Sequence, residues 1–215
     1  MFNTIDINSW PRAEIFYYFS KMAPTGYSVT VNVDVTNLAD IVSKRNIRFF
    51  PSYLWLVTRN LNRQTEFKCA EKDGILGYYD TLSPLYASWH DDTKTFSLMW
   101  ADYSEDFNEF HSRYLDNLEK YGNRHGILGL PGIPPENAYT VSEIPWLGFS
   151  HFAVHSYENK PYYFPSVEAG KYHEQNGRMI MPLSVTCHHA TTDGYHVYRF
   201  FEDLQSDIDS FGDFI

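Results

Sequence analysis

Residues 179–196 read Met179-Ile180-Met181-Pro182-Leu183-Ser184-Val185-Thr186-Cys187-His188-His189-Ala190-Thr191-Thr192-Asp193-Gly194-Tyr195-His196. The first eight are mostly apolar and read as a strand, and a helix-like pattern follows over 195–211. A strand that ends on paired histidines and turns through Asp-Gly into a helix sets an imidazole at the mouth of a cleft, where it can move protons near neutral pH. Successive strand side chains point to opposite faces, so His188 and His189 cannot serve one centre together. One faces the cleft and the other is held by structure. Asp193 lies across the turn, placed to orient the histidine or brace the loop, and Gly194 permits the sharp turn.

Around this stretch the clearest strand is 27–35, where Val29, Val31, Val33 and Val35 alternate with Thr30, Asn32 and Asp34. Thr36 or Asn37 is expected to cap a helix running through Arg45. Another helix is expected from Pro51, and its run Tyr53-Leu54-Trp55-Leu56-Val57, apolar nearly all round, is expected to be buried. Further strands are predicted at 74–79, 85–90, 95–103, 138–144, 147–155, 162–173 and 178–188. His151 and His155 would then share one strand face as polar-face residues. A surface helix over 104–121 repeats Phe107, Phe110, Tyr114, Leu118 and Tyr121 at helical spacing, with Gly122 where a C-terminal glycine belongs. Residues 123–137 read as a Gly/Pro-rich loop. Strands and helices interleave irregularly, which predicts an α/β protein, a two-layer sandwich with a large mixed sheet covered by helices. No repeat or linker divides the chain, so one domain over 1–215 is expected.

Net charge is −10 with histidine neutral, the wrong sign for a nucleic-acid partner. Only two cysteines occur, Cys69 and Cys187, which suits a reducing cytoplasm. The N-terminus lacks the basic and apolar regions of a signal peptide, and no apolar run approaches the ~20 residues that cross a membrane. No second Cys/His cluster has zinc-ligand spacing, so no metal is expected. The 17 Tyr and 16 Phe exceed what packing needs, pointing to a pocket for a flat ligand.

Taken with its flanks, the stretch from Leu183 to His196 resembles the active-site signature of the chloramphenicol acetyltransferase family. Trp10-Pro11-Arg12-Ala13-Glu14, Phe49-Phe50-Pro51, Pro135-Glu136-Asn137, Ser142-Glu143-Ile144-Pro145-Trp146 and Ala169-Gly170-Lys171-Tyr172 resemble further landmarks of that family, in its order and at nearly its spacing. The resemblance implies acetyl transfer from acetyl-CoA, as co-substrate, to a hydroxyl of chloramphenicol, with no metal or prosthetic group. It implies His189 as general base, Ser142 as donor to the tetrahedral intermediate, and an architectural Asp193–Arg12 pair. It places Tyr18, Phe19, Phe96, Phe152, Val154 and Glu168 at the acceptor pocket, and Arg48, Phe50, Trp146, Lys171 and Tyr172 at CoA. It also implies a cytoplasmic homotrimer with sites between subunits.

The chain departs from the family pattern at Phe19, Leu130, Ser156, Ser166 and above all Glu168, which stands where the family has a small hydroxyl residue. An unpaired buried carboxylate there is costly and would oppose a nearby oxyanion. Protonation, exposure to solvent, pairing with His189 or His173, and selection of a more polar acceptor are the open outcomes. Three other functions fit parts of the sequence. One is the same chemistry on a different hydroxyl or amine. Another is the core of a dihydrolipoyl acyltransferase, disfavoured because only nine residues precede Trp10. The last is an aromatic-ligand-binding protein without turnover.

Overall fold

Valine alternating with polar side chains forms a strand because each face then meets a uniform environment. In the computed structural model, which describes residues 1–155 and 162–215, that segment is a strand at Gly26–Asp34. Ser156 lies outside the described residues. In chain order the elements are β1 (Phe2–Thr4), α1 (Ala13–Tyr17) running into a π turn at Tyr18–Met22, β2 (Gly26–Asp34), α2 (Thr36–Arg45), α3 (Phe49–Asn62), β3 (Cys69–Lys72), β4 (Ile75–Tyr79), β5 (Ser83–His90), β6 (Thr95–Trp100), α4 (Phe107–Tyr121), β7 (Ala138–Ile144), β8 (Ser166–Gly170), β9 (His173–Gln175), β10 (Arg178–His188) and α5 (Gly194–Asp209).

The large sheet has the order β2-β10-β8-β7-β5-β6, with β9 paired to β10. Its β8–β7 and β7–β5 contacts are parallel and the others antiparallel, so the sheet is mixed, as expected. Register sorts the side chains into two faces. Val29, Val185, Val167, Val141 and Tyr86 form one continuous row across five strands. That face packs on Leu54, Leu56 and Val57 of α3 and on Val197, Phe200 and Leu204 of α5, all buried in one core. Each such side chain contributes roughly 1.5–3 kcal/mol by leaving water. The opposite face is polar. One row reads Thr140, Ser166, Thr186, Ser28 and the next Ser142, Glu168, Ser184, Thr30.

Several local expectations change. The α2 start is capped from outside, because Asp34 Oδ1 accepts from Thr36 N at 3.0 Å and from Thr36 Oγ1 at 2.5 Å. The Thr36 oxygen accepts from Met179 N at 2.8 Å, and Asn37 donates to the Ile208 carbonyl at 3.1 Å, so neither caps α2. The helix expected from Pro51 begins at Phe49, leaving Pro51 in the first turn, where its missing N–H costs nothing. Gly122 ends α4 with φ −61°, a right-handed conformation open to any residue. The strand predicted over 147–155 does not form, so His151 and His155 share no strand face. That segment lies over the polar face of the sheet. Ser184 Oγ donates to the Phe152 carbonyl at 2.5 Å, and Phe149 covers Gly170, where a Cβ would stand 2.8 Å from its ring. Between 162 and 173 only β8 and the first residue of β9 are extended.

A small antiparallel sheet, β1-β4-β3, ties down the N-terminus. It requires a glycine at residue 77, because a Cβ there would stand 2.3 Å from the Asn3 carbonyl oxygen and 2.5 Å from the Phe2 ring. Gly77→Ala should therefore push β1 off β4 and lower unfolding free energy by about 1–3 kcal/mol in a urea titration. An unchanged midpoint would mean that β1 is not packed against this strand.

Candidate active site

β10 stops at His188 because the chain folds back on itself: Thr191 N and Thr192 N both donate to the His188 carbonyl at 3.2 Å. His189 N donates to the Thr25 carbonyl at 2.9 Å, which fixes the backbone of the next residue. The His189 ring stacks on Phe19, with centroids 4.0 Å apart and planes at 26°, and meets Tyr27 edge-on at 5.3 Å. Its Nδ1 lies 3.0 Å from the Thr192 carbonyl oxygen. A carbonyl only accepts, so in the neutral ring the proton sits on Nδ1 and the lone pair on Nε2, which has no partner among the described residues. With its side chain 32% exposed, the ring is fixed yet reachable. This is the geometry of a base.

His188 has the other fate. Its Nδ1 accepts from Ala190 N at 3.1 Å and its ring packs edge-on to Tyr163 at 4.9 Å. Burial, with the neighbouring His189 adding to it, holds its pKa below the ordinary histidine value, so it stays neutral.

Arg12 fastens the loop. Its guanidinium donates to both carboxylate oxygens of Asp193, at 2.5 and 2.8 Å, and to the carbonyls of Ala190 at 2.9 Å and His189 at 3.0 Å. These bonds hold the Asp193 carboxyl below the usual carboxylate range. Asp193 Oδ1 is also 3.4 Å from His189 Nδ1, longer than the bond to the Thr192 carbonyl. Asp193 is thus committed to the arginine, and the Ser-His-Asp arrangement of a hydrolase is not built here. His196 Nδ1 completes the turn by accepting from Asp193 N at 3.0 Å.

A second group of expected residues gathers elsewhere on the same chain. Ser142 of β7 and Glu168 of β8 are direct cross-strand partners on the polar face. Glu168 is 0% exposed. Ser166 Oγ donates to its Oε1, while Oε2 has no partner among the described residues. Burial pushes the carboxyl up to about 7, with the Ser166 bond acting in the opposite direction. Of the fates open to Glu168, exposure to solvent and pairing with His189 or His173 are not observed. Phe152 sits above Ser184 in the same row, Val154 is exposed, and Phe96 on β6 stands opposite Trp89.

The two groups do not meet within one chain. Ser184, which shares the row of Ser142 and Glu168, is four residues upstream of His188 on β10, roughly 13 Å along the strand. Ser142 lies two strands further across, roughly 10 Å more. Phe96 is four strands away from β10, roughly 19 Å. Of the expected pocket residues, only Phe19 touches His189, and Tyr18, half-exposed, packs on Phe19 at 5.0 Å.

The remaining candidates line a different edge. Arg48, Lys171 and Trp146 are exposed, and Trp146 meets Trp89 edge-on at 4.8 Å. Tyr172 packs against Phe49 at 5.0 Å, whereas Phe50 turns into the core among Tyr53, Tyr86 and Tyr114. Sequence reasoning gave no site role to Phe49, Tyr27 or the Thr192 carbonyl. Tyr27 was legible only to a reader who already knew that β2 pairs with β10, since Tyr27 faces Cys187 in that register. No group of three or more His, Cys, Asp or Glu converges as a metal site among the described residues. Cys69 and Cys187 are free and buried.

Arg12→Ala should cost about 2–3 kcal/mol of unfolding free energy, since it strands a carboxylate and two carbonyls, and Arg12→Lys should recover only part of that. Glu168 gives a pH signature. Its folded-state pKa is raised from 4.5 to about 7, so it favours the native state when protonated and opposes it once ionised. Relative to Glu168→Gln, wild-type stability should fall by a few kcal/mol as pH rises from about 4.5 to about 7, then level off. Parallel stability curves for the two proteins would show that the carboxyl is not buried as described.

Comparison with known proteins places this geometry among relatives. The family model described as chloramphenicol acetyltransferase matches residues 1–205. Chloramphenicol acetyltransferases from Clostridium butyricum (35% identical, covering 100% of this chain and 98% of the relative) and Staphylococcus aureus (38% identical, 95% and 94%) are similar throughout. A solved chloramphenicol acetyltransferase superposes with a TM-score of 0.84 at 24% identity, covering 96% of this chain and 99% of that one. The dihydrolipoamide acetyltransferase of Azotobacter vinelandii superposes with a TM-score of 0.66 at 16% identity, covering 94% and 88%, a likeness of fold alone. Matched along nearly its whole length by a family model and by relatives well above 30% identity, the chain belongs to the chloramphenicol acetyltransferase family.

Proposed function

We infer that this protein transfers the acetyl group of acetyl-CoA to a hydroxyl of chloramphenicol, working as one acetyltransferase domain in the cytoplasm. The observation that carries the assignment of roles is the His189 ring, whose Nδ1 is tied to the Thr192 carbonyl while Nε2 has no partner among the described residues. An alcohol attacks a thioester poorly at neutral pH because it keeps its proton. His189 Nε2 takes that proton as the oxygen–carbon bond forms, an effect typically worth ~10²–10⁴ in rate. Ser142 donates to the oxyanion of the tetrahedral intermediate. The intermediate then collapses, the carbon–sulfur bond breaks, and the imidazolium returns the proton to the departing thiolate of CoA. Arg12 and Asp193 hold the loop and take no part in proton transfer.

The separation of His189 from Ser142 within one chain supports a centre completed by a second copy. His189 of one protomer would face the Ser142–Glu168 rows of its neighbour, in a homotrimer. Exposed Tyr17, Tyr18, Met22, Trp89, Phe96 and Trp146 supply apolar surface for such contacts. Tyr18, Phe19, Phe96, Phe152 and Val154 would enclose the aromatic acceptor. For CoA, exposed Arg48 and Lys171 offer positive charge to its phosphates, and Trp146 and Tyr172 offer flat surfaces. Phe50 would act from beneath, as support.

His189→Ala should lower kcat by about 10²–10⁴ or more while leaving acetyl-CoA affinity within a few-fold. Mass detection of acetylated chloramphenicol with acetyl-CoA supplied reads this directly. If chloramphenicol stays unmodified while another alcohol releases CoA, the acceptor is wrong and the chemistry stands. Sedimentation of the active species should give a trimer, and dilution to monomer should abolish turnover.

A further inference from the structure

We propose that the Thr192 hydroxyl is a positioning group for His189. Joined to Tyr27 on one side and to the His188 carbonyl on the other, it holds the Thr192 carbonyl on His189 Nδ1 and keeps the ring off Asp193. This rests on the reading of His189 as the base and extends it. His189 Nδ1 has two acceptors in range, the Thr192 carbonyl oxygen at 3.0 Å and Asp193 Oδ1 at 3.4 Å. A carboxylate is the stronger acceptor, so a ring free to turn would move toward Asp193. Two restraints oppose that turn. Arg12 draws both oxygens of Asp193 to itself. The second restraint acts on the carbonyl and lies in Thr192 itself.

Thr192 is buried, and its hydroxyl has one proton to give and lone pairs with which to accept. The proton goes to the His188 carbonyl at 3.1 Å. Tyr27 Oη donates to the same hydroxyl oxygen across 3.4 Å, a long bond, from the strand that pairs with β10. The Thr192 N–H also donates to the His188 carbonyl, at 3.2 Å. Thr191 repeats the pattern, its N–H at 3.2 Å and its hydroxyl at 3.3 Å from that carbonyl. N–H and O–H groups of both threonines thus converge on one oxygen and wind residues 188–192 into a closed turn. Only the Thr192 hydroxyl carries the link onward to a second strand. Its own carbonyl is thereby held from two directions, and that carbonyl is the one that meets the ring.

The groups around the ring make the choice of acceptor matter. Asp193 and Arg12 are the charged ones, and His196 Nδ1 stands 3.9 Å from Asp193 Oδ2. From β10, His188 is neutral, and so is Cys187, which faces both the Thr192 and Tyr27 hydroxyls, because burial raises its thiol. Burial likewise raises the Tyr27 phenol. The π turn contributes the Phe19 ring and, behind it, the phenol of Tyr18. Among these groups Asp193 is the one anion. Paired with a neutral carbonyl, the imidazolium formed in the reaction gives its proton up to the CoA thiolate. Paired with a carboxylate it would hold that proton more tightly, and Nε2 would be turned away from the acceptor hydroxyl. Thr192 therefore sets both the aim of the base and its readiness to let the proton go.

The test compares Thr192→Val, Thr192→Ser and Tyr27→Phe with wild type. Two quantities are read: kcat and KM for chloramphenicol against pH at saturating acetyl-CoA, and the NMR titration of the isotope-labelled His189 ring without substrates, assigned with His189→Gln. Thermal midpoints are recorded alongside. Valine keeps the shape and the carbonyl but not the hydroxyl. In Thr192→Val, kcat should fall roughly tenfold with KM changed by less than about threefold. The ring titration and the acid limb of kcat should both move up by about half a pH unit or more, as Asp193 replaces the carbonyl. Tyr27→Phe, which keeps the ring edge on His189, should move both readouts the same way by less, and Thr192→Ser should restore wild-type values. Combining Thr192→Val with Tyr27→Phe should be no worse than Thr192→Val alone, since both break one chain of bonds. If the Val variant folds poorly, Tyr27→Phe carries the same two readouts. An unmoved titration and acid limb, a Ser variant no better than Val, or a change confined to the thermal midpoint would each overturn the proposal. The ring titration needs no turnover, so it separates two failures. Wild type that acetylates no chloramphenicol at any pH removes the assigned acceptor, whereas a titration that Thr192→Val leaves in place removes only the role given to Thr192.

Discussion

Arg12 is the residue on which the arrangement depends. One guanidinium, its side chain only 11% exposed, supplies four bonds that tie the start of the N-terminal helix to the histidine-bearing turn: two to Asp193 and one each to the carbonyls of His189 and Ala190. A planar five-donor group suits this, because the acceptors lie in a fan that a single ammonium could not span. The consequence reaches the imidazole indirectly. The same helix continues into the π turn that carries Phe19, and Phe19 is the ring stacked on His189. Backbone and side chain of His189 are thus held by neighbouring segments of one N-terminal arm, itself pinned by β1 against β4.

The large sheet divides its labour by face. Apolar rows and buried helices on one side supply stability, so the other side is free to carry hydroxyls and a carboxyl at sheet-fixed spacing. Positions set by a hydrogen-bonded sheet move little, which suits the role proposed for Ser142, since reorganisation at the moment of reaction would waste a preorganised donor. The loop histidine is fixed by other means, through an ion pair and ring stacking. Precision therefore comes from two sources in the two halves of the proposed centre.

Much of this was legible in the sequence. The alternation of Val29, Val31 and Val33 located β2 to within a residue, and the long apolar run before His188 located β10. The buried run in α3 and the Arg12–Asp193 pair were readable too, the latter through family resemblance. What failed did so for identifiable reasons. The pattern His151-Ala153-His155 mimics a strand, but its backbone is engaged by a side chain, Ser184, lying over the sheet instead of joining it. Short β1, β3 and β9 contain too few residues for a period to show. Asp34 caps the next helix from within a strand, a tertiary role that local cap rules assign to Thr36. Glu168 was visible as an oddity, yet its partner Ser166, itself a departure from the family pattern, could be matched to it only once the strand was known. These two unusual residues are a compensated pair, one satisfying half of the other.

In the intersubunit centre proposed above, the base at 189 and the donor at 142 would come from different polypeptides, and that arrangement has a genetic consequence. Two defective alleles, one lacking the imidazole at 189 and the other lacking the hydroxyl at 142, need not be equivalent when both are expressed in one cell. Mixed oligomers would rebuild a working junction wherever the intact half of each allele met the other, so two inactive genes could together confer a phenotype that neither confers alone. Conversely, a single inactive allele would poison junctions on wild-type partners, and its effect would be dominant in proportion to its dosage.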